Sequence, residues 1–188
     1  RTALNFLCHL SGVASLTRCY VEAVTAANPA TRVLDTRKTT PGLRALEKAA
    51  VRAGGGVNHR GSLSDAVLVK DNHLAGVSIT EAVAEARRRW PGRMVEVECD
   101  TAAQVRQARS AAVDVVMVDN MDPDQVAACV TELRTDPSSR SPLVEVSGRV
   151  TLERAPRYAA AGADLVSVGA LTHSAPALDI GLDITGGG

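Results

Sequence analysis

The sequence predicts an α/β protein: a TIM-like, incomplete parallel barrel of about six strands built from βα repeats and preceded by an N-terminal helix. Three observations lead there. From about Thr31 onward the chain repeats one unit, a short Val-rich run, a polar turn and an amphipathic stretch of helical period. Each unit takes roughly 20–30 residues, the length of a strand plus its crossover helix, and no hairpin turn joins consecutive runs. Polar residues recur at the carboxyl end of every run, a ring that suits a barrel mouth better than the single crevice of an open sheet. No GxGxxG follows the first run, so a dinucleotide-binding sheet lacks its fingerprint.

Residues 1–27 read as one long helix. Strand-like runs follow near 31–36, 65–70, 93–99, 113–119, 142–147 and 163–168. Thr40-Pro41 has the chemistry of an N-cap and first helical residue, and Gly54-Gly55-Gly56 closes the helix so begun. Later helices are expected over Thr80–Trp90, Thr101–Ser110, Pro123–Arg134 and Leu152–Ala161; Ala102, Val105, Ala108 and Ala112 keep helical spacing. Arg87-Arg88-Arg89 reads as a solvated helix face, and Gly186-Gly187-Gly188 as a frayed tail. The whole of 1–188 reads as one domain with one core. It opens on Arg1 directly in a helix, which suggests a piece of something longer.

Formal net charge is zero, so any cationic site is local, unlike the overall basic bias of a nucleic-acid binder. Aromatic residues make up 2% of the chain, too few for base-stacking platforms. Four cysteines show no metal-like spacing with the four histidines. Cys8 and Cys19 share the first helix about 16 Å apart, too far to bridge. Reduced thiols in a cytoplasmic protein are the simplest expectation. No apolar run has the length of a membrane span, and no signal peptide is visible.

Charge at strand exits has no packing explanation. Arg37 and Lys38 leave the first run, Lys70 leaves the second, and His59-Arg60 lie between. Arginine forks and lysine point charges at two exits suit a substrate with several anionic groups; the plainer alternative is surface charge beside helix starts. Glu98 and Asp119 end the third and fourth runs. Period two puts Glu96 and Glu98 on one face, opposite Val95 and Val97, the lumen face in a barrel. Two carboxylates on successive strand ends could hold Mg²⁺ or bind a ribose diol, or else pair with the cations structurally. Ser147-Gly148 and Gly169-Ala170 end the last two runs, where backbone N–H groups can cradle a phosphate; each alone also reads as ordinary turn chemistry. His173 follows, while His9 sits in an apolar helix and reads as a satisfied core histidine.

These pieces resemble one family, the quinolinate phosphoribosyltransferases (carboxylating nicotinate-nucleotide pyrophosphorylases). The similarity rests on HLSGVAS (9–15), DTRKTTPGLRALEK (35–48), GGGVNHR (54–60), VLVKDNH (67–73), EVEC (96–99), VDN (118–120) and VGALTHS (168–174), in the family's order. The resemblance implies transfer of phosphoribosyl from phosphoribosyl pyrophosphate to quinolinate with loss of CO₂, giving nicotinate mononucleotide and pyrophosphate with Mg²⁺. It places Arg37, Lys38, Thr39, His59, Arg60 and Lys70 around the quinolinate carboxylates and pyrophosphate, with Lys38, Lys70, Glu98 and Asp119 as the catalytic set. Glu98 and Asp119 match contacts to ribose and metal. Ser147, Gly148, Arg149, Gly169 and Ala170 match the 5′-phosphate loops, beside His173. Arg1 matches an arginine supplied to the neighbouring subunit, which implies a homodimer or larger assembly. Arg149 stands where Gly or Asn is commoner, and Ala49 where many members carry an aromatic residue. The family's amino-terminal α/β sandwich of about a hundred residues, a typical small domain, is absent from these 188 residues. Two alternatives stay open: a related phosphoribosyltransferase of other acid specificity, and a non-catalytic phosphate-binding or assembly module.

Overall fold

The computed structural model describes residues 1–135 and 141–183, so the expected tail at 186–188 lies outside the described residues. Helix α1 (Thr2–Ala27) buries Val13, Thr17, Tyr20 and Val24, one stripe at three- and four-residue spacing. It packs on α2 (Arg44–Ala53) and α6 (Ala155–Ala160). The strands are β1 (Arg32–Leu34), β2 (Val67–Val69), β3 (Val95–Cys99), β4 (Val115–Asp119), β5 (Leu143–Ser147) and β6 (Leu165–Ser167). All pair in parallel, in the order β1-β6-β5-β4-β3-β2. Only β1 is displaced from sequence order, so the sheet runs as a barrel runs, with its seam between β1 and β2.

The residues after α2 line that seam. Val57 bridges to Leu34 in parallel, its N–H donating to Val33 O at 2.8 Å. Farther along, Arg60 Nη1 donates to Ala66 O at 3.2 Å, just ahead of β2. The two strand faces differ as period two requires. Val97, Val116, Val118, Val144, Val146 and Val166 are fully buried. They lie on the opposite face from the cavity-lining residues of the same strands, and each is worth about 1.5–3 kcal/mol of burial. The other face carries Leu68, Glu96, Glu98, Met117, Asp119, Glu145, Ser147 and Ser167 toward the centre.

Local sequence sets the outer helices. Helices α3 (Ile79–Arg89), α4 (Ala102–Ser110) and α5 (Pro123–Leu133) each open on a reciprocal capping box: Ser78 with Glu81, Thr101 with Gln104, Asp122 with Gln125. Arg88 and Arg89 are exposed and pair with Glu85, as a solvated face should. Helix α6 is shorter than expected, because Thr151–Arg154 forms a turn before it. Thr40 is not an N-cap. The Leu43 N–H donates to Thr40 O at 3.0 Å around Pro41 and Gly42 (φ 80°), the type II pattern, and α2 starts only at Arg44. Cys8, Cys19, Cys99 and Cys129 are free. Among the described residues no helix is long and apolar enough to cross a membrane.

Candidate active site

A cavity of about 250 Å³ opens at the carboxyl ends of the strands and takes lining residues from all six strand exits and from the seam. Strand exits and seam bring Arg37 and Lys38 (β1), His59 and Arg60 (seam), Lys70 (β2), Glu98 (β3), Asp119 (β4) and Ser147 (β5) to one wall system. One cavity touching every strand requires a sheet curved about a centre.

Buried polar contacts hold the cationic loops. Asp35 and Lys48 form an ion pair with almost no exposure. Lys48 Nζ also donates to His59 O at 2.8 Å, and Asp35 accepts from the His59 N–H at 2.9 Å and from Asn58 Nδ2. Helix α2 therefore clamps the His59-Arg60 backbone. It clamps the Arg37 loop too: Arg44 donates to Arg37 O and Thr39 Oγ1, each at 3.1 Å, and Glu47 accepts from the Thr40 N–H at 3.0 Å. His9, expected to be a satisfied helical histidine, meets the other oxygen of Glu47 at 2.8 Å.

The result is crowded cations. Burial first, and then the Arg37 charge, pull Arg60 below the ordinary arginine pKa. Arg37 Nε is buried without a hydrogen-bond partner among the described residues. A crowded cation and an unpaired buried donor beside one cavity are what an anionic guest relieves. Lys70 Nζ meets the Glu98 carboxylate, so part of the structural alternative for the carboxylates holds. Asp119 accepts from Asn120 Nδ2.

The late loops form the adjoining rim. Gly148 has φ 88°, and a Cβ there would lie 2.4 Å from Asn120 Oδ1, so only glycine fits without displacement. Arg149 follows at φ 48°, a left-handed backbone that Gly and Asn adopt more readily. Gly169 caps the short helix α7 (Ala170–His173), with His173 and Lys38 against it. Thr172 Oγ1 donates to Lys38 O at 2.7 Å, tying this rim to the β1 exit. Thr39, Gly148, Arg149, Gly169, Ala170 and His173 stand beside the cavity and do not line it; Arg1 is apart, exposed at the start of α1.

Sequence reasoning missed the floor. His59 Nε2 lies 3.2 Å from Glu96 Oε2 and 3.5 Å from Glu145 Oε1. Ser167 Oγ donates to Glu145 Oε1 at 2.6 Å. Burial, and then the Glu96 charge, hold the Glu145 carboxyl well above the usual carboxylate range. His59 is raised as well: burial opposes its charge, but the bond to Glu96 and both carboxylate charges outweigh it. The available signal was a Glu at the centre of the Val-rich run Leu143–Ser147, matching Glu96 in its own run. Burial pushes the Cys99 thiol up to about 12 and raises that of Cys129, so neither is poised as a nucleophile.

The family model described as "Quinolinate phosphoribosyl transferase, C-terminal domain" matches residues 13–183. The chain is 45% identical over 185 residues to the nicotinate-nucleotide pyrophosphorylase [carboxylating] of Mycobacterium leprae (strain TN), covering 98% of this chain and 64% of that protein. It is 46% identical to a probable enzyme of that name from Bacillus subtilis (strain 168), covering 98% and 62%. A crystal structure of nicotinate-nucleotide pyrophosphorylase from Ehrlichia chaffeensis superposes with a TM-score of 0.90 at 39% identity, over 98% of this chain and 65% of that one. The chain thus spans less than two thirds of the length of these relatives.

Proposed function

Because the chain belongs to the quinolinate phosphoribosyltransferase C-terminal domain family, we propose that it is the catalytic barrel of an enzyme joining quinolinate to phosphoribosyl pyrophosphate with loss of CO₂. The observation that carries this reading is the collar of Arg37, Lys38, His59, Arg60 and Lys70 around one cavity, with Arg37 Nε unpaired among the described residues. Both reactants are polyanions, and quinolinate carries two carboxylates on adjacent ring carbons. Two forked guanidiniums, Arg37 and Arg60, match that pair.

The pyridine nitrogen attacks the anomeric carbon of the ribose as pyrophosphate leaves. Positive charge grows at the ribose and negative charge on the leaving group. Lys38 and Lys70 face the latter, and such preorganised charge is usually the largest catalytic contribution. The carboxylates of Glu98 and Asp119 face the ribose hydroxyls and its developing positive charge. The quaternised ring nitrogen then stabilises the carbanion left when the adjacent carboxylate departs as CO₂, and that carbon takes a proton from water to give nicotinate mononucleotide. Ser147, Gly148, Arg149, Gly169 and Ala170 hold the 5′-phosphate by backbone N–H groups at the rim, with His173 beside them.

Mg²⁺ is the proposed ion. Glu98 and Asp119 are hard oxygen donors on one cavity wall, and Mg²⁺ takes one or two carboxylates together with substrate phosphates; the donor set fits. When bound, the ion would neutralise pyrophosphate charge. A homodimer is proposed in which the exposed Arg1 serves the neighbouring subunit's site. The four free thiols suit a cytoplasmic location.

The test is formation of nicotinate mononucleotide from quinolinate and phosphoribosyl pyrophosphate, assayed with the full-length protein and with residues 1–188 in parallel. Product from the full-length protein is expected. Activity with nicotinate and not quinolinate would move the specificity, and no product from either would leave a non-catalytic binding module.

A further inference from the structure

Beneath the cationic collar, two carboxylates share one imidazole. Glu96 on β3 and Glu145 on β5 are each 1% exposed. With His59 they bring one ligand-type atom apiece within 4.8 Å of one another. The proton inventory of this cluster is constrained by its neighbours. The Arg60 backbone N–H donates to His59 Nδ1 at 2.9 Å, so that nitrogen offers a lone pair and the ring proton sits on Nε2, facing the carboxylates. An imidazolium would set an Nδ1 proton against the Arg60 N–H. A metal on Nε2 would need the same unfavourable tautomer.

With a neutral imidazole, two ionised carboxylates would set two negative charges side by side in the barrel floor, an arrangement that close, buried pairs avoid by keeping a proton. Two contacts locate that proton. Glu145 Oε1 already accepts from Ser167 Oγ. Glu96 Oε1 is buried with no partner among the described residues, so it lacks a donor. A proton on Glu145, whose carboxyl hydrogen-bonds that of Glu96, supplies a donor to it.

We propose that Glu145 is a positioning residue that keeps its proton in the folded enzyme, donating it to Glu96 so that His59 is held as the neutral Nε2–H tautomer under the quinolinate site. This deepens the phosphoribosyl-transfer reading and rests on it for the substrate. The direction of the Glu145 shift, set by burial and the Glu96 charge, agrees. The rise at His59 runs against burial and comes from the Glu96 bond and the charges of Glu145 and Glu96, and a proton on Glu145 removes one of those charges. The functional consequence is electrostatic. Arg37 and Lys38 from the β1 exit, and Arg60 beside His59, face the guest from above. The Lys70–Glu98 pair and Asp119 complete the charged wall on β2, β3 and β4, and β6 contributes only the Ser167 hydroxyl. One negative charge below this collar leaves it attractive to a dianion; a second, gained when Glu145 ionises, opposes binding.

The experiment uses the full-length protein and has two arms. In the first, KM for quinolinate is measured from pH 6 to 9 in the parent, Glu145→Gln and Glu145→Leu. The parent KM should rise about tenfold at the alkaline end, the scale of one added unit charge at close range, with kcat changing much less. Glu145→Leu should raise KM throughout, and Glu145→Gln, which keeps a neutral donor and acceptor, should recover most of that loss and flatten the alkaline rise. In the second arm, infrared difference spectra should show a protonated-carboxyl band at neutral pH that shifts in D₂O and is missing from Glu145→Gln. Absence of that band in the parent, or metal in the purified parent that Glu145→Gln loses, overturns the proposal. If the parent makes no nicotinate mononucleotide, the functional reading falls while the infrared arm still decides the proton.

Discussion

Replacing Lys48 by methionine should damage the fold and the site together. Lys48 is 7% exposed and Asp35 is fully buried. Methionine keeps much of the aliphatic stem but removes the charge that meets Asp35 and the donor to His59 O. Asp35 would keep its bonds from the His59 N–H and Asn58 Nδ2 but lose its cation. Breaking one side of a buried ion pair costs about 3–5 kcal/mol. At roughly 2–4 °C per kcal/mol for a chain of this size, melting should fall by roughly 6–20 °C. The double variant Asp35→Asn with Lys48→Met should lose less stability than Lys48→Met alone, because the orphaned charge has gone. KM for quinolinate should rise, since the same contacts clamp the His59-Arg60 backbone. Calorimetric melts with steady-state kinetics test all three. A Lys48→Met protein that melts within about 1 kcal/mol of the parent and binds normally would refute the reasoning.

Lys70→Ala should lower turnover at least 100-fold, since removing a charge-stabilising group at such a site costs about 3 kcal/mol or more; near-normal product formation would remove Lys70 from the chemistry. Gly148→Ala would set a Cβ 2.4 Å from Asn120 Oδ1 and 2.8 Å from its backbone N at φ 88°. We expect a loss of roughly 2–4 kcal/mol in urea unfolding from backbone strain plus overpacking, with a raised KM for phosphoribosyl pyrophosphate. Glu145 is held at about 8 against an ordinary 4.5, burial being the first cause. A folded-state pKa above the unfolded one gives stability that is complete below about 4.5 and is lost as pH rises through the folded value. Glu145→Gln should therefore gain stability relative to the parent across that window, and parallel denaturation curves that never diverge with pH would count against the shift.

The legible features were those written locally. Apolar positions at helical spacing, such as Ala102, Val105 and Ala108, announce the outer helices, and the capping boxes at Ser78, Thr101 and Asp122 fix where α3, α4 and α5 begin. Valine runs announce the strands because both faces of a parallel sheet are covered. Arg37, Lys38 and Lys70 stood out because a charge at a strand exit has no task in a core. Thr40-Pro41 misled because the same dipeptide opens a helix or a type II turn, and the following Gly42 at φ 80° decides for the turn.

What could not be read was convergence. Glu96 and Glu145 lie far apart in sequence, and His59 reaches both from the seam that Val57 seals. Period two tells which face each glutamate takes, and no local signal tells that the two faces close on one imidazole. The same closure explains why carboxylates occupy positions where Leu or Val would stabilise more. Apolar residues there would leave His59 Nε2–H without an acceptor directly under the collar, and a buried unpaired donor costs about 1–3 kcal/mol. Two ionised glutamates would solve that problem and create a worse one, a floor that repels the dianion proposed for the collar. A single charge, with one carboxyl kept neutral, satisfies the imidazole and preserves the attraction. On the proposed function, the barrel interior stays polar at its centre because its mouth has an anion to hold.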